Sequence, residues 1–260
     1  MIKSEVSDGI IAPSYTPAAL KILRAKKGGK FIVLAAAADA VMSDDEWRVV
    51  HGCVLTQKRN STVFTRAHLD TVVTALKELP DAAARDLIVA STAIKYTQSN
   101  SVAFAVNGQA IGIGAGQQSR VDCVKLAARK LATWFMRQHP SITGIRFKAG
   151  VKKQDKVNAR VRIIEGNLTP EEREEISAKI EGEIPALLSE DARAEFMKTL
   201  PPISLSSDAF FPYDALHTHV SLEKCRLLVL PSLFLPSYPD SIHVASQYAG
   251  SMQPLSLLFS

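Results

Sequence analysis

The densest concentration of polar and glycine residues runs from Lys95 to Arg120, KYTQSNSVAFAVNGQAIGIGAGQQSR. There a hairpin feeds a glycine-rich turn at the start of a helix. Such a turn can hold an anion. Gly112, Gly114 and Gly116 allow close backbone approach, the helix N-terminus presents unpaired N–H groups, and Arg120 supplies a charge-assisted bond to phosphate or carboxylate. The Walker lysine with its Ser or Thr is absent and the spacing is not the dinucleotide fingerprint, so the pattern by itself reads first as a tight turn or bulge. Asn100, in TQSNS, carries an amide that can donate to a developing oxyanion or orient a substrate amide, beside its plainer reading as a turn residue. Asp8-Gly9 also reads as a turn. Ahead of the apolar run IIAP, however, its carboxylate could sit at a strand end and accept from a ligand hydroxyl.

Other chemistries find little support. His51, His68, His139, His217, His219 and His243 form no H-E-x-x-H, and no zinc-deaminase C-x-x-C is present, so no metal is expected. His217 and His219 share a face if extended, with Cys225 nearby, but the surrounding tail lacks the packed partners that hold metal ligands. No G-x-S-x-G nucleophile elbow occurs. Cys53, Cys123 and Cys225 are odd in number and far apart, which suits a reducing cytosol better than a disulfide framework. The N-terminal MIKSEVSDGIIAPS has no signal-peptide core, and the apolar stretch 227–235 is interrupted by Pro231 and too short for a bilayer, so neither targeting nor membrane insertion is expected. The net charge of +5 favours phosphorylated or carboxylated ligands without requiring a nucleic-acid partner. The groups Lys26, Lys27, Lys30 and Lys152, Lys153, Lys156 lack interleaved aromatics and read as solvated surface.

The elements that must position these residues follow an α/β alternation. With 260 residues, 47% hydrophobic and 22% charged, the chain can bury a core without disulfides or metal. Thr16-Pro17 starts a helix through ALKILRAKK, Gly28-Gly29 stops it, and FIVLAA from Phe31 reads as a strand. Pro80-Asp81 opens a second helix, SVAFAV a second strand, and Asn107-Gly108 a two-residue hairpin turn into QAIGIGAG. Ser119 caps a long helix whose Val121, Val124, Leu126, Leu131, Trp134 and Phe135 face the core before Pro140 ends it. From Gly150 a charged segment with a Thr169-Pro170-Glu172 cap reads as a surface excursion. A short helix from Ser189 follows, and ISLSSDAFFPY reads as a buried strand delivering a loop.

The last 46 residues differ in kind. Glu223, Lys224, Arg226 and Asp240 are their four charged residues, against eight serines and four prolines, with no sustained period. We therefore read residues 215–260 as a divergent, poorly ordered tail of separate origin, such as a frame change or altered splice would produce.

Six blocks, SDGIIAP at 7–13, TQKRNS at 56–61, RDLIVA at 85–90, KYTQSNSV at 95–102, GQAIGIGAGQQSRVDC at 108–123 and SSDAFFPY at 206–213, together closely resemble the AICAR transformylase domain. That domain is the C-terminal half of a bifunctional purine enzyme that also carries IMP cyclohydrolase. The resemblance implies zinc-free, cytidine-deaminase-like α/β subdomains over residues 1–214, incomplete relative to the family. It further implies formyl transfer from 10-formyltetrahydrofolate to AICAR, and a homodimer or a heterodimer with an intact enzyme. Matched position by position, Asn100 would stabilise the oxyanion and contact AICAR, Asp8 and Arg120 would hold AICAR, Phe210 would pack on its ring, and Val121 would border the folate. The family's adjacent Lys-His pair has no counterpart, since no Lys-His dipeptide occurs in this sequence. Asp214 stands near the family's folate-contacting aspartate, and the pattern ends there. The resemblance thus implies an enzyme fragment that is inactive alone, or, as the alternative, a non-catalytic AICAR-binding or subunit-interaction module.

Overall fold

The structure, a computed structural model, describes residues 2–4, 7–37, 39, 43–70, 78–186, 188–208, 225–229 and 243–246. The chain divides into two units, Met1–Ser61 and Thr62–Ser260.

In the first unit, β1 (Gly9–Ala12) leads through α1 (Pro17–Arg24) to β2 (Ile32–Ala35), which pairs with it in parallel. The Thr16 hydroxyl accepts from the Ala19 amide and Pro17 occupies the first turn, the cap its sequence predicts. The Tyr15 hydroxyl donates to the Leu34 carbonyl at 2.6 Å, fastening the loop before the helix to β2. β3 (Asp45–Val50) and β4 (Cys53–Lys58) then form an antiparallel hairpin. Its turn residues His51 and Gly52 both have positive φ, 49° and 80°. That backbone matches strand twist, although His-Gly lacks the Asn-Gly signature by which such turns are read from sequence. Val49 faces Val54 across the ladder with Trp47 two residues away on the same side, and all three are exposed.

The second unit carries the α/β core. α2 (Asp81–Lys95) is followed by β5 (Ser101–Val106), and Asn107-Gly108, with φ of 50° and 77°, turns the chain into β6 (Gln109–Ala115). α3 (Arg120–Met136) comes next, then α4 (Pro140–Thr143), α5 (Lys153–Glu165), α6 (Pro170–Lys179) and α7 (Glu190–Met197). β7 (Ile203–Ser207), β8 (Cys225–Val229) and β9 (His243–Ser246) complete a five-stranded sheet in the order β6-β5-β7-β8-β9. All neighbours are antiparallel except β7 and β8. β8 and β9 are the described part of residues 215–260; the rest of that segment, with Phe210 and Asp214, lies outside the described residues.

Every residue of β5 is buried, because helices cover both sheet faces. Ala103 and Ala105 pack with Leu87, Ala90 and Ile94 of α2, while Val102 and Phe104 pack with Val124, Ala127 and Leu131 of α3. Alternate side chains of one strand thus enter two different cores. Of the α3 positions read as core-facing, Val124, Leu131 and Phe135 are buried, Val121 and Trp134 pack at the margin, and Leu126 is half-buried outside that core. Asp86 of α2, itself buried, accepts from the Asn107 and Gly108 amides at 2.9 and 2.6 Å and so holds the hairpin turn against the helix.

The charged segment after Gly150 is more than a surface excursion. Ala159, Ile163 and Ile164 of α5 and Ile176 of α6 bury against Met136, Ile142 and Ile180 in a third core, with the charges on the outer faces. The Thr169–Glu172 capping box forms as its residues predict.

The glycines of β6 serve α3. A Cβ at Gly114 would lie 2.1 Å from the Cys123 carbonyl oxygen, and one at Gly112 would lie 2.3 Å from that of Ala127. Backbone cannot retreat there as a flexible side chain could, so Gly114→Ala should destabilise the protein by about 1–3 kcal/mol or more. Urea denaturation checks this. An unchanged midpoint would show that α3 is not seated on β6 through these glycines.

Candidate functional site

Three elements meet at one end of the sheet: the start of β5, the residue after β7, and the first turn of α3. Ser119 caps α3 by accepting from the Val121 amide at 3.1 Å, which sets Arg120 as the first helical residue. Its side chain turns onto the strand ends and is only 7% exposed. Nη1 donates to the Ser101 carbonyl at 2.8 Å and to Asp208 Oδ1, while Nη2 donates to Asn100 Oδ1 at 2.9 Å. These bonds use three of the five guanidinium N–H groups.

Asp208 sits directly after β7 and is 4% exposed. Its Oδ1 also accepts from the Ser101 amide at 2.9 Å, and its own amide donates to the Ser101 carbonyl at 3.2 Å. One carboxylate oxygen therefore anchors both a β5 amide and the α3 arginine. Asp208 Oδ2 and Ser101 Oγ are buried without a hydrogen-bond partner among the described residues.

Asn100 is the more accessible member. Its Nδ2 donates to the Gln117 and Gln118 carbonyls at 3.0 and 3.2 Å, so the amide bridges the loop before α3 and the arginine within it. Beneath it, Cys123 donates its thiol to the Asn100 carbonyl at 2.7 Å. Burial pushes that thiol above its ordinary value, outweighing the lowering by the Gln117 backbone hydrogen bond and the Arg120 charge.

The structure thus brings together Asn100 and Arg120, two of the residues singled out in the sequence, with Val121 beside them packed on the β5 core. Gly116, with φ of 66°, makes the turn into α3, and its amide donates to the Gln98 carbonyl at 2.8 Å. Asp8 belongs to the first unit, where it directly precedes β1 and pairs with Lys27. That lysine, through its hydrogen bond and its charge, holds the Asp8 carboxyl below the usual range. Asp208 is the partner the sequence reading did not name. It lies inside the quoted block SSDAFFPY, and the signal that could have found it is that an arginine buried at a strand end requires a carboxylate. Among the described residues no group of His, Cys, Asp and Glu could hold a metal ion, and no helix is long and apolar enough to cross a membrane.

Comparison with known proteins bears on the same region. The AICARFT/IMPCHase bienzyme family matches residues 1–130, which include Asp8, Asn100, Arg120 and Val121. The chain is similar to the bifunctional purine biosynthesis protein PurH of Caulobacter vibrioides, 31% identical over 123 residues that make up 47% of this chain and 23% of that protein. It is also similar to the PurH protein of Neisseria meningitidis, 37% identical over 123 residues, 46% of this chain and 23% of that one. The matched stretch therefore spans under a quarter of the length of these curated relatives.

Two outcomes follow from the geometry. Removing one member of a buried pair strands the other's charge, so Arg120→Met should cost about 3–5 kcal/mol, and adding Asp208→Leu should recover most of it. Urea denaturation of single and double variants decides, and a double variant no more stable than the single would show that the pair is not the cause. In the folded protein at pH 8, iodoacetamide should modify exposed Cys53 well ahead of buried Cys123. Peptide mass mapping that finds equal rates would contradict the thiol environment described.

Proposed function

This chain belongs to the AICARFT/IMPCHase bienzyme family, and from that premise we propose that its second unit carries part of an AICAR site serving formyl transfer from 10-formyltetrahydrofolate in purine synthesis. The observation that carries the reading is the Asn100–Arg120 hydrogen bond at the first turn of α3, within the matched residues. It holds an amide and a guanidinium as one fixed donor set at a helix start.

The AICAR amine is conjugated and weakly nucleophilic, so transfer needs a base to remove its proton and donors to stabilise the oxyanion formed at the formyl carbon. In this reading Asn100 serves the oxyanion by exchanging its longer backbone bond, to Gln118, for the ligand oxygen. Arg120 holds AICAR through N–H groups that its protein bonds leave over. Phe210 contributes a further AICAR contact, and Val121 borders the folate. The family's Lys-His pair, which would supply the base, is absent from these 260 residues. The chain by itself is accordingly proposed to bind AICAR without turning it over.

A second reading, a subunit-interaction module that pairs with an intact homologue, is favoured by the apolar face of the β3–β4 hairpin. Trp47 and Val49 there are 66% and 71% exposed, an arrangement that marks interaction surfaces. Native mass spectrometry of the chain mixed with a full-length homologue would show mixed dimers under this reading and none otherwise.

The main test is calorimetric titration with AICAR together with a formyl-transfer assay on the same material. Asn100→Ala and Arg120→Lys, the latter keeping the charge, should each weaken binding by about tenfold or more, the loss expected for a charge-assisted bond. Turnover by the purified chain, or full affinity in both variants, would overturn the proposal.

A further inference from the structure

We infer that Asp208 is the positioning residue of this corner: it fixes the rotation of the Arg120 guanidinium, and through it the Asn100 amide, in the orientation that AICAR meets. The inference rests on the AICAR reading above for its ligand, but its structural half stands on the geometry alone.

A guanidinium on a long side chain is free to turn unless both of its ends are held. Here Nη1 spends both hydrogens, one on the Ser101 carbonyl and one on Asp208 Oδ1, and Nη2 is thereby aimed at Asn100 Oδ1. Of these acceptors only Asp208 is charged, and it is fixed independently of the arginine, because its Oδ1 takes the Ser101 amide and its own amide meets the Ser101 carbonyl. The carboxylate is thus tied to the β5 backbone by bonds that do not involve the arginine. Asn100 in turn depends on Arg120 for its amide orientation: with Oδ1 accepting from Nη2, Nδ2 must point at the Gln117 and Gln118 carbonyls. The order of dependence runs from Ser101 to Asp208, then Arg120, then Asn100.

Asp208 Oδ2 has no hydrogen-bond partner among the described residues, which makes the role separable from packing. In Asp208→Asn, Oδ1 keeps its place as acceptor for Ser101 and Arg120, and the new Nδ2 occupies the position of Oδ2. Shape and burial are retained while the charge that tightens the Arg120 bond is lost. Asp208→Ala removes both charge and acceptor.

The experiment uses the full chain uniformly labelled with 15N, and reads the Nη resonances of Arg120, assigned by comparison with Arg120→Lys, together with the backbone amides of β5. A guanidinium held at both ends gives two separate Nη signals, whereas a freely turning one gives an averaged signal. Separate signals are expected in the starting protein, and averaged ones in Asp208→Asn with the β5 backbone amides unshifted. AICAR affinity should fall about tenfold or more in Asp208→Asn and further in Asp208→Ala. Separate signals persisting in Asp208→Asn, or averaged signals with AICAR affinity within twofold of the starting protein, would overturn the inference. Should Asp208→Ala not fold, Asp208→Asn decides. Should the starting chain bind no AICAR, the AICAR reading falls, and the resonance comparison decides the positioning role by itself.

Discussion

The buried pair of Arg120 and Asp208 is the interaction on which the end of the sheet depends. Taking two charges out of water costs several kcal/mol for each, and their attraction offsets this only when geometry is good and the remaining polar atoms are satisfied. Both conditions are largely met: Arg120 also reaches a backbone carbonyl and an amide oxygen, and Asp208 also takes a backbone amide. A pair this buried is weak grounds for stability, since well-packed apolar residues would serve as well. What it does impose is alignment. β5, β7 and the start of α3 must end in the same place for the bonds to form, so one side-chain pair fixes three elements.

That alignment requires α3 to lie unusually close to the sheet. Gly112 and Gly114 leave β6 bare beneath the helix, so that carbonyls of α3 occupy the space a Cβ would fill. On the other face, small residues play the matching part: Ala103, Ala105, Ser204 and Ser206 let α2 settle, with Ser91 and Ser206 bonding at 2.9 Å across the contact. β5 is buried on both sides in consequence, and its sequence SVAFAV alternates large residues toward α3 with alanines toward α2. The glycine-rich run that looked like a phosphate cradle is thus chiefly a helix seat; its last glycine alone makes the turn.

Much of this was legible in the residues. The caps at Thr16, Ser119, Thr169 and Ser189, the Asn107-Gly108 turn and the strand at Ile203 all follow from local chemistry, because each is decided within four or five residues. What escaped was decided at long range or against the composition. Ile163, Ile164, Ile176 and Ile180 of the third core are hidden among charges, and their burial depends on α5 meeting α6. The β3–β4 hairpin turns on His51 and Gly52, a pair without the Asn-Gly or Asp-Gly signature by which such turns are read. Within the candidate site, Arg120 stands out by its place at a helix start, whereas Asn100 reads alone as a turn residue and is singled out by the family resemblance. Asp208 was not readable, since it lies 88 residues from the arginine it neutralises.

The neutralising partner changes what Arg120 can do. A lone arginine at a helix start would draw any anion through its charge and the dipole behind it. Paired with Asp208 in a buried setting, the same group carries little net charge, and its value lies in the direction of its N–H groups rather than in its field. In the proposed AICAR reading, recognition at this corner therefore has to come from geometry: the ligand would be selected by whether its acceptors fit the remaining N–H directions and the Asn100 amide, not by how negative it is. Such a site discriminates well, because a ligand that fits poorly leaves buried polar atoms unpaired, each at a cost of about 1–3 kcal/mol. It also tolerates error badly, since a small rotation of the guanidinium moves every donor at once. The rigid anchoring of Asp208 to β5 is the physical answer to that sensitivity.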